Sequence, residues 1–480
     1  MKSKVWLWIV IAIVVIGAGV LIWTGQKPAK EAGVVETASF NPNIFVYVGA
    51  GDAETLDPSK AYDTASSEII FQYYDNLLAY KEGSLSEFQP MLATEVPSVE
   101  NGLISADGKT YTFPIRKGVK FHNGAEMTPA DVEYTFERNI FADPVGGPMW
   151  MLIEPIFGKA SIEDLACEIA GIDSFDKVDA AGLLKTAKRV MDAIKVDGDN
   201  VVINLVKPYP PFLAILARNS SWTAIINKQW MIENGAWDGK AETWTKWHNL
   251  QTEEQVLFET AMGTGPYKQV EWDRSNSRHT LEAHADYWQG PAAIKTVIVN
   301  NGVTEFNTRK LMLQRGEADA IYVPVENSPQ IEGTEGVELI RNLPRLNNVC
   351  AIFNQEINAI DNEFVGSGKL DGNGIPADFF ADVNIRRAFS YAFDYDSFIE
   401  EVVLGEASIP YGVIPVGLSD FFDTKGFQYS YDLKKAEEHF KKAFNGEVWE
   451  KGFKVTLVWN IPNTTRKTAC EILEAGIEKI

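Results

Sequence analysis

The chain has 480 residues, 44 basic against 66 acidic side chains and a formal net charge of −22. At roughly 150 residues per domain that length suggests about three domains. The acidic balance excludes a nucleic-acid binder, which needs a basic stripe, and docking of the body on anionic lipid. Cys167, Cys350 and Cys470 stand too far apart for a zinc site, a redox pair or a dense disulfide scaffold.

Lys2 and Lys4 precede an uncharged run at 5–23. At about 1.5 Å per residue it is about 28 Å long, enough to cross a bilayer core. Trp6, Trp8 and Trp23 sit near its ends, where amphipathic rings favour the interface. No clear cleavage site and no lipid-bearing Cys follows, so an anchor over 1–23 is favoured over a cleaved signal peptide. The leading lysines predict a body outside the cytoplasmic membrane. Residues 24–42 read as a linker.

Residues 44–48 (IFVYV) read as a strand ending in the Gly49–Gly51 turn, and Ile69, Ile70, Tyr73, Tyr74 and Leu77 mark a helix. Asp107-Gly108 is a hairpin turn signal. After it Tyr111, Phe113 and Ile115 alternate with Thr112, Pro114 and Arg116, as a half-buried strand requires. Pro114 donates no hydrogen bond, which sets that strand at an edge or a bulge. Thr128, Pro129 and Asp131 open a helix with a capping box, and Val132, Phe136 and Ile140 form its buried stripe. A helical stretch with irregular apolar spacing spans 161–193, and a strand spans 201–206. Thr252 is expected to cap a helix over 253–263, and Gly263-Thr264-Gly265-Pro266-Tyr267 to make a rigid turn before a strand. A helix over 311–318 and a strand over 321–323 follow. A helix over 383–403 carries Ile385, Ala388, Phe389, Ala392 and Phe393 on one face. Asp432 caps a last helix with Leu433, Ala436, Phe440 and Phe444 facing in, and 453–459 is a strand. Interleaved strands and helices make the class α/β.

No catalytic constellation emerges: G-x-S-x-G, H-E-x-x-H and the P-loop are missing from the sequence. Gly49-Ala50-Gly51 begins a dinucleotide-like pattern, but Glu54 stands where the third glycine belongs, so a tight turn is the better reading. His279 and His284 are badly spaced for one helical face, and His122 sits in a turn, so neither a metal site nor a cofactor is expected. Trp222, Trp230, Trp237, Trp244 and Trp247 crowd one stretch, as packed aromatics or as walls of a solute pocket.

The run DGKTYTFPIRKGVKFHNGAEMTPADVEYTFER at 107–138 resembles the signature of the extracellular solute-binding proteins of family 5, the dipeptide, oligopeptide and nickel-type binding components of ABC importers. Thr55-Leu56-Asp57-Pro58, Tyr74-Asp75-Asn76-Leu77-Leu78, the Gly263–Tyr267 turn, Tyr287-Trp288-Gln289-Gly290-Pro291 and the segment 384–394 agree in order and spacing. The resemblance implies a two-lobed, type II periplasmic-binding-protein-like fold with a small extra domain inserted in lobe I. Laid on this chain, lobe I takes 43–80 and 215–322, the inserted domain 81–214 and lobe II 323–480. In the family the chain returns to lobe I after lobe II, and peptide binders hold the ligand's amino terminus with an Asp on that later stretch. Since this chain stops at Ile480, its C-terminal part is expected to be missing.

By position in the family, Thr55, Leu56, Asp57, Trp150, Ser221, Trp222, Asn354, Pro410, Tyr411 and Gly412 would approach the cleft between the lobes. The function implied is capture of a peptide by a monomer that closes on it and delivers it to an ABC permease, without enzymatic activity. An oligosaccharide is the runner-up ligand, and nickel is disfavoured because no His is placed for it. A membrane-anchored hydrolase using a carboxylate pair is the rival of another class, but no spacing singles out such a pair.

Overall fold

The computed structural model describes residues 41–218, 221–341, 343, 345–418, 422–461 and 463–480. The expected anchor at 1–23, and the linker up to residue 40, lie outside the described residues. Among the described residues no helix is long and apolar enough to cross a membrane.

The expected first strand is β1 (Ile44–Val48). Helix α1 (Thr64–Tyr73) follows, capped by Asp63, whose carboxylate accepts from Ser66 N. β2 (Leu78–Tyr80) and β3 (Phe88–Pro90) pair antiparallel. β4 (Thr110–Pro114) buries Tyr111 and Phe113 while Thr112 and Pro114 stay partly open, the expected alternation. Asp107-Gly108 turns into it with Gly108 at φ +70°, a left-handed conformation that favours glycine.

In α2 (Pro129–Ala142) the Asp131 carboxylate accepts from Thr128 N at 2.8 Å and Thr128 Oγ1 at 2.9 Å. Val132, Phe136 and Ile140 are fully buried as the spacing predicts. The helix is enclosed on more than that stripe, because Glu137, Arg138 and Asn139 are buried too. An unexpected helix α3 (Trp150–Phe157) comes next, and the irregular stretch over 161–193 resolves into α4 (Ile162–Ala170) and α5 (Ala180–Ala193). β5 (Ile194–Asp197) and β6 (Asn200–Asn204) form a hairpin, and β4 joins β6 as an edge strand, where Pro114 is tolerated. β7 (Ala217–Arg218) adds parallel to β2.

The largest sheet completes itself late. β8 (Tyr267–Asp273), β9 (Arg278–Ala283) and β10 (Thr296–Asn300) run antiparallel. Helix α6 (Phe306–Gln314) leads to β11 (Ala320–Ile321). The sheet order is β11-β1-β10-β9-β8, with β1 parallel to both neighbours and Ile44 opposite Thr296.

Five expectations need correction. The helix over 253–263 does not form, and 252–254 makes one 3₁₀ turn. Its backbone is claimed elsewhere: Phe258 O accepts from Leu56 N, Glu259 O from Gln269 Nε2, and Met262 N donates to the Tyr74 hydroxyl. The helix over 311–318 starts earlier, at Phe306. The helix over 383–403 breaks after α7 (Val383–Ala392), since Phe393 is extended and Asp394 caps a new turn through Ser397 N. Ile385, Ala388, Phe389 and Ala392 are buried, but Phe393 is only half-buried. Asp432 does cap α8 (Leu433–Lys442), yet α9 (Thr464–Glu478) follows it, capped by Asn463. Lastly, 453–459 keeps a strand's alternation, with Phe453, Val455 and Leu457 half-buried and Lys454, Thr456 and Val458 exposed. No strand among the described residues pairs with it.

Two separate apolar cores result. One gathers buried residues from Ala53 to Val299, and the other from Val365 to Leu473.

Candidate functional site

The signature segments converge on a structural knot. Asp75 Oδ1 accepts from the Tyr287 hydroxyl at 3.2 Å, and its Oδ2 accepts from Thr264 Oγ1 and Trp288 Nε1, each at 3.1 Å. The Arg116 guanidinium lies 4.4 Å over the Trp288 ring. Gly265 N donates to Tyr73 O at 2.9 Å, and His122 Nε2 and His284 Nδ1 both meet Gly265 O, at 3.1 and 3.2 Å. A carbonyl only accepts, so each ring carries its proton on that nitrogen. Burial drives His122 down to about 3 and His284 below its usual range, so both imidazoles are neutral at pH 7.

Thr55, Leu56 and Asp57 lie behind a surface, not on one: all three are buried, and Asp57 has 0% exposure. Arg138 grips Asp57 with Nη1 on Oδ1 and Nη2 on Oδ2, both at 2.6 Å. Ser59 N and Oγ also donate to Oδ1, and Gln255 accepts from Arg138 at 2.9 Å. Burial works to raise the Asp57 carboxyl, but the Arg138 charge and these hydrogen bonds outweigh it and hold the group below its usual range. Removing one partner of such a buried pair costs about 3–5 kcal/mol.

Trp150, Ser221 and Trp222 come together around Tyr62, a residue the sequence did not single out. Trp150 Nε1 donates to the Tyr62 hydroxyl at 3.4 Å, and the Trp222 ring meets Tyr62 edge-on with centroids 6.0 Å apart. Ser221 Oγ donates to Ala61 O and accepts from Ser67 Oγ. Asn139 Nδ2 donates to Trp222 O at 2.9 Å. Adjacent residues of α2 thus fix both sides of the aromatic group, Arg138 through the Asp57 loop and Asn139 through Trp222. Tyr62 is 49% and Trp150 40% exposed. Trp222 is half-buried, with its Nε1 buried and unpartnered among the described residues.

A cavity of about 330 Å³ opens beside this group, lined by Tyr62, Trp150, the 143–147 loop, Glu163 and His248. His248 bridges Phe141 O at 3.1 Å and Glu163 Oε1 at 3.0 Å. Asp143 accepts from Ile162 N at 2.8 Å. Burial pushes its carboxyl up to about 6, against the pull of that hydrogen bond and of His248, and with Glu163 and Asp164 adding repulsion. The sequence did offer a loop signal here, Pro144 followed by Gly146-Gly147-Pro148, but nothing that pointed to a cavity.

The remaining expected residues lie apart. Asn354 is exposed, and its side chain accepts from Glu356 N. Gly412 O accepts from Asn348 Nδ2, and Tyr411 meets Phe422 edge-on, while Pro410 is half-buried. Among the described residues no hydrogen bond or ring contact joins them to the Trp150–Tyr62–Trp222 group. Of the crowded tryptophans, Trp237 and Trp244 are fully buried against Phe141 and serve packing. No group of three or more His, Cys, Asp or Glu among the described residues is placed to hold a metal.

Similarities to known proteins fit this architecture. The chain is 26% identical over 459 residues to heme-binding protein A of Haemophilus influenzae, covering 94% of this chain and 71% of that protein. It is 25% identical over 460 residues to the dipeptide-binding protein of Escherichia coli, covering 92% and 71%. Its fold superposes on the oligopeptide-binding protein AppA of Bacillus subtilis, solved with a nonapeptide, with a TM-score of 0.60 at 19% identity, covering 91% of this chain and 72% of that one. The fold is therefore the mixed α/β, type II periplasmic-binding-protein architecture. The model for bacterial extracellular solute-binding proteins, family 5, matches residues 87–480, and with most of its length so matched the chain belongs to that family.

Proposed function

We propose that this protein captures a peptide outside the cell and passes it to an ABC permease. The observation that carries the reading is the open aromatic group of Trp150 and Tyr62 on a cavity of about 330 Å³, held from behind by buried residues of α2. Exposed rings on a rigid support are the common lining of solute sites. The names of the Escherichia coli and Bacillus subtilis relatives favour a peptide.

In this reading lobe I comprises 43–80 and 215–322, the inserted domain 81–214 and lobe II 323–480, and the anchor at 1–23 keeps the body at the outer face of the membrane. Ligand bridges the lobes and stabilises a closed form over an open one. Trp150, Ser221 and Trp222 supply one wall. Asn354 and Pro410–Gly412 approach from lobe II on closure. Thr55 to Asp57 act as the rigid floor.

The test incubates the full chain with a random peptide pool and a glycan pool, followed by mass spectrometry of what stays bound. Recovery of intact peptides is the expected result. Recovery of glycans alone would move the assignment to oligosaccharides, and cleaved products would make the protein a hydrolase.

A further inference from the structure

We propose that the cavity between Tyr62, Trp150 and the 143–147 loop is a subsite for an organic cation, an ammonium or guanidinium group carried by the captured ligand. This deepens the capture reading and rests on it. The cavity of about 330 Å³ has room for a side chain with a charged head. No Lys or Arg lines it, while two carboxylates do. Each carboxylate has one oxygen engaged, Asp143 by Ile162 N and Glu163 by His248, and each keeps its second oxygen free of hydrogen bonds among the described residues.

The aromatic lining points the same way. Tyr62 and Trp150 expose much of their surface beside those carboxylates, and ring faces attract a cation that has shed water. Filling the cavity with a neutral sugar or an apolar side chain would strip water from two carboxylates, of which the lining answers only Glu163 directly, through the His248 ring. An anionic group would meet both of them directly. A planar guanidinium or an ammonium compensates the carboxylates and lies against the rings at once.

The experiment is calorimetry of the full chain with the tripeptide Ala-Arg-Ala and its neutral isostere carrying citrulline, beside the random peptide pool. The expected result is tighter binding of the arginine peptide by about ten-fold or more. That preference should shrink to about three-fold or less in the Asp143→Asn, Glu163→Gln variant. Asn and Gln keep the acceptors for Ile162 N and His248, and an unchanged melting temperature verifies the fold. Equal binding of the two peptides, or a preference that survives both substitutions, overturns the cation subsite and leaves peptide capture standing. If the pool itself does not bind, peptide capture fails. Arginine methyl ester against citrulline methyl ester, read by tryptophan fluorescence, then decides the subsite: a preference abolished by the two substitutions supports it, and none overturns it.

Discussion

Trp222 keeps an indole N–H buried with no acceptor among the described residues, against the edge of Tyr62. An unmet buried donor costs stability until something accepts from it. Trp222→Phe is therefore expected to leave the melting temperature unchanged or raise it, while weakening ligand binding about ten-fold if the ligand accepts from that N–H. Paired melting and calorimetry curves check this, and a lower melting temperature with unchanged affinity would make Trp222 a packing residue only. At this scale the sequence was legible in part. Trp150, Ser221 and Trp222 were reached through the family resemblance, and the structure gathers them. Tyr62 and His248 were not, because their partners stand 88 and 85 positions away, at Trp150 and Glu163, and no local spacing encodes such a pairing. Asp57 was reached through the resemblance too, but its grip by Arg138, 81 positions on, was not.

The turn between the 3₁₀ segment and β8 shows how an element can be read rightly for an incomplete reason. Two glycines and a proline announced a rigid turn, and the turn is there, but Gly265 does not adopt a left-handed backbone. What it needs is closeness: a Cβ at Gly265 would stand 2.5 Å from the Tyr73 carbonyl carbon and 2.6 Å from Tyr74 N. Gly265→Ala is accordingly expected to cost about 3 kcal/mol or more, at the severe end of overpacking. Urea unfolding measures it, and a loss below about 1 kcal/mol would show that the α1 end yields. Elements with strong local signals, such as β1, β4 and the capped start of α2, were visible in the sequence. The 253–263 segment was not, because its backbone groups bond to Leu56, Gln269 and Tyr74, so tertiary partners overrode a good helix signal.

For the whole molecule, buried ionisable groups set opposing responses to pH. His122, lowered from 6.5 to about 3, is neutral in the folded state while the unfolded chain takes up its proton, so its contribution is full above pH 6.5 and fades as pH falls. Glu137, raised by burial from 4.5 to about 8, works the other way: its contribution is full below pH 4.5 and lost as pH rises through 8. His284 adds to the first trend and Asp143 to the second. Melting temperature should therefore be flattest between about pH 4.5 and 6.5 and fall on either side. His122→Asn should raise stability at pH 5 relative to pH 7 by up to about 2 kcal/mol, compared with the unsubstituted chain. Calorimetric scans across this range check both, and an unaltered acid limb in the variant would sink the assignment. Topology at this scale was legible only through the resemblance, since nothing local says that β1 pairs with β10. That pairing has a price in time. Thr296 lies 252 residues beyond its partner Ile44, so at about 5–20 residues per second the ribosome takes about 13–50 s to deliver it. Until then the first strand has no neighbour, and nascent chains shorter than about 300 residues should yield it to protease while released chains protect it. The sheet around the first strand assembles after translation has passed it, which leaves a long interval in which the chain is still thin enough to be threaded through a membrane pore.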